Sequence, residues 1–209
     1  MRRFLILAHR VPTSGQFTLN DLAGGAGRMD EVARAVSTAF TLSNDLRRDT
    51  EMTILFVVDP PPKARRIDLV GARLRFLNPD ERSTAALLKN ALVRSVDFPR
   101  PFESSPGLTV SPVEPAAAVR SFLAQPNPLW LVEDGSPIEE STLPGGDVAA
   151  LVSDPYDPTP EEGELLSSLG VPRVRVGPRS LRTSQVIDLV HHELDRREAA
   201  GSAGPPTSG

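Results

Sequence analysis

Apolar positions along the chain fall into two alternating rhythms. Short apolar runs in RRFLILAHRV, TILFVVD and PLWLVED, each bounded by turn residues, predict buried strands, and AALVSD and PRVRVG bring the set to about five. Between them the period changes. Met29, Val32, Ala33, Val36, Ala39 and Phe40 recur at i, i+3, i+4 and i+7, which predicts a helix with one core face and leaves Arg28, Glu31 and Arg34 off it. Asn78, Asp80 and Ser83 precede or open a second helix through TAALLKNALVRSV, with Pro79 suited to its first turn. PAAAVRSFLA after Glu114 predicts a third, EEGELLSSLG a short fourth closed by Gly170, and SLRTSQVIDLVHHELDRR the last and longest. Strands alternating with helices argue for an α/β fold, a mostly parallel sheet covered on both faces. The terminal AAGSAGPPTSG has nothing to bury, so the expected organisation is one domain over residues 1–197 and a disordered tail over 198–209.

Composition narrows the chemistry. There is no apolar run near the roughly 20 residues that a membrane span needs, and MRRFLILAHRV is too short and too soon charged again for a signal peptide, so the reading is a soluble, cytoplasmic protein. The absence of cysteine excludes disulfides, thiolate zinc sites and cysteine nucleophiles, and three histidines, two of them adjacent, lead us to expect no metal. Chemistry must then come from carboxylates, arginines, hydroxyls and backbone groups. The net charge of −4 is unevenly spread: residues 1–100 hold 16 Lys+Arg against 11 Asp+Glu, and residues 101–209 hold 7 against 16. The first half could therefore face an anion, with Arg47, Arg48, Lys63, Arg65, Arg66, Arg73 and Arg75 as a phosphate footprint.

Two stretches offer a site. Gly24, Gly25 and Gly27 stand directly ahead of the first helix, flanked by Asn20, Asp21, Arg28 and Asp30. Amides at a helix start are ready donors for an anion, yet GGAG is neither a GxGxxG nor a Walker pattern, and a plain connection capped by Asn20 or Asp21 fits the same residues. The second stretch is split: LVEDG (131–135), VSDPYD (152–157) and VGPRSL (176–181) each follow a predicted strand. Loops at the carboxyl ends of strands in an open α/β sheet converge on ligands, although the same residues also make ordinary turns. Residues 78–83 fit a helix cap and leave Arg82 free to face a substrate, while His191 and His192 read as helix-surface residues.

Taken together, RRFLILAHRVPTSG, FTLNDLAGGAGRMD, LRFLNPDERSTAALLKNAL, LVEDG and VGPRSL resemble the archaeal tRNA pseudouridine-54 N1-methyltransferases (TrmY) of the SPOUT superfamily, from Met1 to about Leu194. The resemblance implies a C-terminal trefoil knot over roughly residues 129–194, a homodimer, S-adenosylmethionine (SAM) as cofactor and tRNA as partner. Carried over by position, the cofactor contacts are Leu131, Ser153, Val176, Gly177, Pro178, Arg179, Ser180, Leu181 and Val186. The family has glycine where Ser153 stands and often cysteine where Val186 stands; a contact through the backbone survives both changes. For the chemistry, the resemblance makes Asp21 and Asp30 candidate bases or acceptors that orient the ring. Asn20 would pair with the imide edge, and Arg10 and Arg28 would hold a phosphate or stabilise charge on a carbonyl oxygen. A noncatalytic knotted RNA-binding module, or a related methyltransferase acting on another RNA position, are the alternatives.

Overall fold

Strand β1 (Arg2–Ala8) is the axis of the molecule, because it is buried but for the half-buried Arg3 and hydrogen-bonded on both sides. The computed structural model describes residues 1–202. In chain order β1 is followed by α1 (Met29–Phe40), β2 (Thr50–Phe56), β3 (Arg65–Val70), α2 (Glu81–Ser95), β4 (Phe102–Ser105), β5 (Leu108–Pro112), α3 (Pro115–Leu123), β6 (Pro128–Pro137), β7 (Val148–Ser153), α4 (Pro160–Ser168), β8 (Arg173–Arg175) and α5 (Thr183–Ser202). They build one eight-stranded mixed sheet in the order β4-β5-β3-β2-β1-β7-β6-β8. Its β2-β1-β7-β6-β8 portion is parallel, and β3, β5 and β4 extend the other end antiparallel.

The five expected strands are all present, and β3, β4 and β5 are additional. Their sequences explain why they escape a search for apolar runs. RRIDLV buries only Ile67 and Leu69, on one face, while FESS and LTVSP are mostly polar or lie at the sheet's end. Side chains of β1 alternate between two layers, as strand geometry requires. Phe4 and Ile6 face a core shared with α1, α2 and α5 through Val32, Val36, Leu88, Ile187 and Val190. Leu5 and Leu7 face a smaller core with α3 and α4 through Val119, Phe122 and Leu166. Helix α5 runs through Ser202 and so takes in the first part of the expected tail; residues 203–209 lie outside the described residues.

The expectation of a surface role for His191 is corrected. Its ring is 2% exposed, packs edge-on to Phe4 at 5.1 Å, donates from Nε2 to the Ala39 carbonyl at 3.1 Å and meets the buried Arg2 guanidinium at Nδ1 at 3.2 Å. Burial, with Arg47 and Arg2 nearby, pushes its pKa down to about 4. The folded state therefore refuses a proton that the unfolded chain takes up below about 6.5, so stability falls as pH drops from about 6.5 toward 4. Denaturant titrations at pH 7.5 and 4.5 should show the wild type losing on the order of 2–3 kcal/mol more than His191→Gln over that interval. Equal losses would place the acid sensitivity elsewhere.

Candidate active site

The three C-terminal loops meet. Pairing of β6 with β8 slips between Leu131 and Ser136, so residues 132–135 leave the ladder as a lobe, and Gly135 allows it: a Cβ there would lie 2.5 Å from the Val174 amide nitrogen. This lobe, the loop after β7 and the segment from β8 into α5 enclose a cleft of about 860 Å³, closed on one side by Arg28 and Glu31 from the start of α1. Leu131, Ser153, Val176, Gly177, Arg179, Ser180, Leu181 and Val186 line it; Pro178 stands in the same loop but is not among the lining residues. The Ser153 carbonyl accepts a 2.6 Å hydrogen bond from Thr183 Oγ1, which ties the end of β7 to the first residue of α5.

The lining suits the cofactor implied by the sequence. Leu131, Val176, Leu181 and Val186 offer an apolar wall for a purine; Asp154, Asp157, Glu133 and Asp134 surround the space with carboxylates that favour a sulfonium or ammonium group, and Arg179 and Arg182 can meet a carboxylate. Two buried polar atoms on residues that line the cleft lack a partner, Trp130 Nε1 and Glu31 Oε2. Buried polar atoms are almost always paired, so these two stand out among the residues around the cleft.

The glycine turn delivers Arg28 to this cleft. Gly27 has φ +63°, and a Cβ there would sit 2.0 Å from the Arg10 carbonyl oxygen. Arg28 follows as the helix N-cap in the left-handed region, φ 69°, with no side-chain cap, so neither Asn20 nor Asp21 caps α1. Its guanidinium forms a fork on Asp30, at 2.9 and 3.0 Å, and reaches Glu31 Oε1 at 2.8 Å. The Asp30 hydrogen bonds hold Arg28 charged and, against the effect of burial, keep the Asp30 carboxyl below its ordinary range.

The other sequence candidates stand apart from the cleft lining. Asp21 accepts from the amides of Gly24 and Gly25 at 2.9 and 2.7 Å, filling with its own carboxylate the nest that an anion would use. Asn20 accepts from Arg82, which also donates to the Leu19 carbonyl, and both line a second, open cleft of about 670 Å³ with Phe17 and Lys89. The Arg10 guanidinium lies 3.8 Å from the centre of the Tyr156 ring. The cap of α2 is Asp80, which accepts from the Ser83 amide at 2.8 Å.

Most of the expected phosphate footprint is internally paired. Arg47 binds Asp195, Arg48 the carbonyls of Gly71 and Leu74, Arg65 Ser95, Arg66 Asp68 and Arg73 Glu103, whereas the side chains of Lys63 and Arg75 have no partner among the described residues. Among those residues no group of three or more His, Asp or Glu side chains is placed to hold a metal ion, and no helix is long and apolar enough to cross a membrane.

Sequence reasoning missed two features. Glu31 lies off the apolar stripe of α1 but is 4% exposed, because α2 and α5 flank the helix and enclose its polar edge; Arg28, Arg34 and Arg182 gather around it. His9 bridges Asp154 and Glu162, both at 2.9 Å. Its place immediately after an apolar strand is the signal that could have marked it, since β1 ends beside the loop after β7.

Comparison with known proteins agrees with this geometry. Residues 1–199 match a family described as "Putative SAM-dependent RNA methyltransferase". The tRNA (pseudouridine(54)-N(1))-methyltransferase of Methanocella arvoryzae is 40% identical over 197 residues, covering 94% of this chain and all of the relative. The enzymes of that name from Haloferax volcanii (37% identical, 93% of this chain and 96% of the relative) and Pyrococcus abyssi (35%, 94% and 98%) are similar throughout. The fold is shared with Archaeoglobus fulgidus Nep1 bound to S-adenosylhomocysteine, at TM-score 0.61 and 17% identity over 95% of this chain and 99% of that one. A family match over residues 1–199, relatives at this identity and a cleft where the three C-terminal loops converge on the start of α1 lead to one conclusion: this chain belongs to the SAM-dependent RNA methyltransferase family.

Proposed function

We propose that this chain methylates N1 of pseudouridine 54 in tRNA, with the base entering the cleft at Arg28 and Glu31. The observation that carries the reading is the buried, unpartnered Glu31 Oε2 beside a fixed guanidinium on the wall of the three-loop cleft. SAM bound there supplies a methyl group on a sulfonium. On taking up that methyl group, N1 of a base held in the cleft would have a proton to lose. Glu31 Oε2 accepts it, and Arg28, locked by Asp30, stabilises the negative charge that gathers on a ring carbonyl. Asp30 is thus a positioning residue rather than the base, since its carboxylate is committed to the fork. Leu131, Ser153, Val176 to Leu181 and Val186 hold the cofactor, and Asn20, Asp21 and Arg10 shape the approach of the RNA around the glycine turn.

Two features of the family reading join this proposal. Helix α5 begins against the Ser153 carbonyl, and Arg197 near its far end donates to the carbonyls of Ile138, Glu139 and Ser141. A helix threaded through the β6–β7 connection would have these contacts, which supports the trefoil knot. Leu189, 37% exposed on α5 one turn beyond the cleft-lining Gln185 and Val186, supports a homodimer at that face. The setting is the cytoplasm, where tRNA is modified.

The test is transfer of label from methyl-labelled SAM to matched tRNA transcripts carrying pseudouridine or uridine at position 54. Label on the first alone is expected, and Glu31→Gln should lower its rate about 100-fold with cofactor affinity changed only a few-fold. No transfer together with no cofactor binding by calorimetry would overturn the enzyme reading and leave an RNA-binding module. A wild-type rate in Glu31→Gln would remove Glu31 from the chemistry.

A further inference from the structure

The loop from Ser153 to Thr159 supplies Ser153, Asp154, Pro155, Asp157 and Pro158 to the cleft, yet it is a chain segment with two prolines and no ladder of its own. Thr183 holds the Ser153 carbonyl and Arg10 stacks on the Tyr156 ring, but the side chain that joins the two ends is His9. His9 leaves the end of β1 and spans both ends of the loop. At one end, Asp154 Oδ2 accepts from the His9 amide at 2.8 Å and Oδ1 from Nδ1 at 2.9 Å, while Oδ1 also receives the Tyr156 amide at 3.0 Å. At the other end, Glu162 Oε2 accepts from His9 Nε2 at 2.9 Å and from the Thr159 amide at 2.8 Å, as part of the capping box that starts α4.

Both ring nitrogens face carboxylates, and the three side chains are 12%, 3% and 20% exposed. Two carboxylates accept and cannot donate, so both hydrogen bonds exist only when the imidazole is protonated. A neutral ring keeps one and leaves the other carboxylate facing a lone pair. The charged and titratable groups around the ring are Asp154 and Tyr156 from the loop after β7, Glu162 from α4, and Arg10 of its own segment, whose guanidinium stacks on Tyr156.

We infer that His9, as an imidazolium clamped between Asp154 and Glu162, is a positioning residue for the cofactor wall of the cleft, and that losing its proton loosens the Ser153–Thr159 loop and weakens cofactor binding. The inference rests on the cofactor reading of the cleft and adds a residue that touches neither cofactor nor base. Burial opposes the charged ring, but the hydrogen bonds to Asp154 and Glu162 outweigh it and hold the pKa up at about 9. The sign follows: a raised pKa keeps the clamp intact below the ordinary value near 6.5, and the clamp opens as pH rises through about 9.

The experiment is titration of the full chain with S-adenosylhomocysteine, read by fluorescence of Trp130, the chain's one tryptophan and a residue of the cleft wall, from pH 7 to 9.5. Wild-type affinity should exceed that of His9→Asn about tenfold at pH 7, a coupling of ordinary size, with the ratio shrinking as pH passes about 9. The ligand's own α-amino group, beside a free carboxylate, also titrates at alkaline pH but is common to both proteins and cancels in the ratio. Glu162→Gln keeps a side chain that can cap α4 and accept from His9 while removing one negative charge, so the midpoint of the wild-type affinity loss should move to lower pH. A role confined to packing would not move it. A pH-independent ratio, equal affinities at pH 7, or an unshifted midpoint in Glu162→Gln would each overturn the inference while leaving the methyltransferase reading intact. Absence of binding by the wild type at every pH would overturn the cofactor reading as well.

Discussion

Gly27→Ala is expected to cost roughly 3 kcal/mol or more of stability and to lower the melting temperature by about 6–12 °C, the largest effect anticipated for a single methyl group in this chain. Two terms add. The backbone at residue 27 has φ +63°, where an L side chain is strained, and the new Cβ would lie 2.0 Å from the Arg10 carbonyl oxygen and 2.9 Å from the Val11 nitrogen. Both obstacles are backbone, so no rotamer change relieves them. The turn must instead move away from the exit of β1, carrying Arg28 with it, and transfer activity should fall along with stability. Gly24→Ala is the control: its Cβ would meet only the Asp21 side chain, at 2.9 Å, which can give way at the cost of its hydrogen bonds to the Gly24 and Gly25 amides. Thermal melts of the two variants check the contrast. A Gly27→Ala protein that melts with the wild type would show that the approach of residue 27 to β1 is not rigid.

Arg28→Lys should reduce the methyl-transfer rate by about 10²–10³-fold while cofactor affinity stays within a few-fold. The substitution keeps the charge, and the loss comes from geometry. The guanidinium makes two parallel hydrogen bonds to Asp30 and a third to Glu31, so its orientation toward the cleft is set before any substrate arrives. An ammonium has no fork and cannot engage Asp30 through two fixed donors, so the nearly buried Asp30 loses its orienting partner while Glu31 keeps only Arg34 and the more distant Arg182. The split between rate and binding is the informative measurement. An equal loss of cofactor affinity would make Arg28 a cofactor residue; a wild-type rate would remove it from the transition state.

Both predictions concern the same short turn, which shows how far the amino-acid pattern reaches. The glycines ahead of α1 mark a close backbone approach, and the sequence reading as an anion loop was chemically reasonable. The structure gives the amides of Gly24 and Gly25 to the Asp21 carboxylate and assigns Gly27 a steric duty instead. A nearby internal carboxylate reaches the nest without an entropic cost of association, and nothing in the linear pattern distinguishes it from a free one.

What the sequence determined by itself is local and periodic. Continuous apolar runs specify β1, β2, β6 and β7, because strands buried on both faces cannot include polar residues without loss, whereas β8 buries only Val174 and was marked by its apolar residues alternating with arginines ahead of a Gly-Pro turn. The 3.6-residue period specifies the helices, and the C-terminal loops were recognisable because parallel strands place their carboxyl ends on one side. Tertiary structure decided everything that depends on what packs beside a given face. β3, β4 and β5 bury too little to announce themselves and become strands through pairing. Glu31 and His191, polar residues on helix edges, are internal because α1 and α5 pack together. His9, Asp154 and Glu162 meet across about 150 residues of chain, and the charge on that ring exists only because the fold sets two carboxylates around it. Periodicity reports which side of an element is apolar; only the assembled neighbours determine whether its polar side meets water, a partner or a substrate.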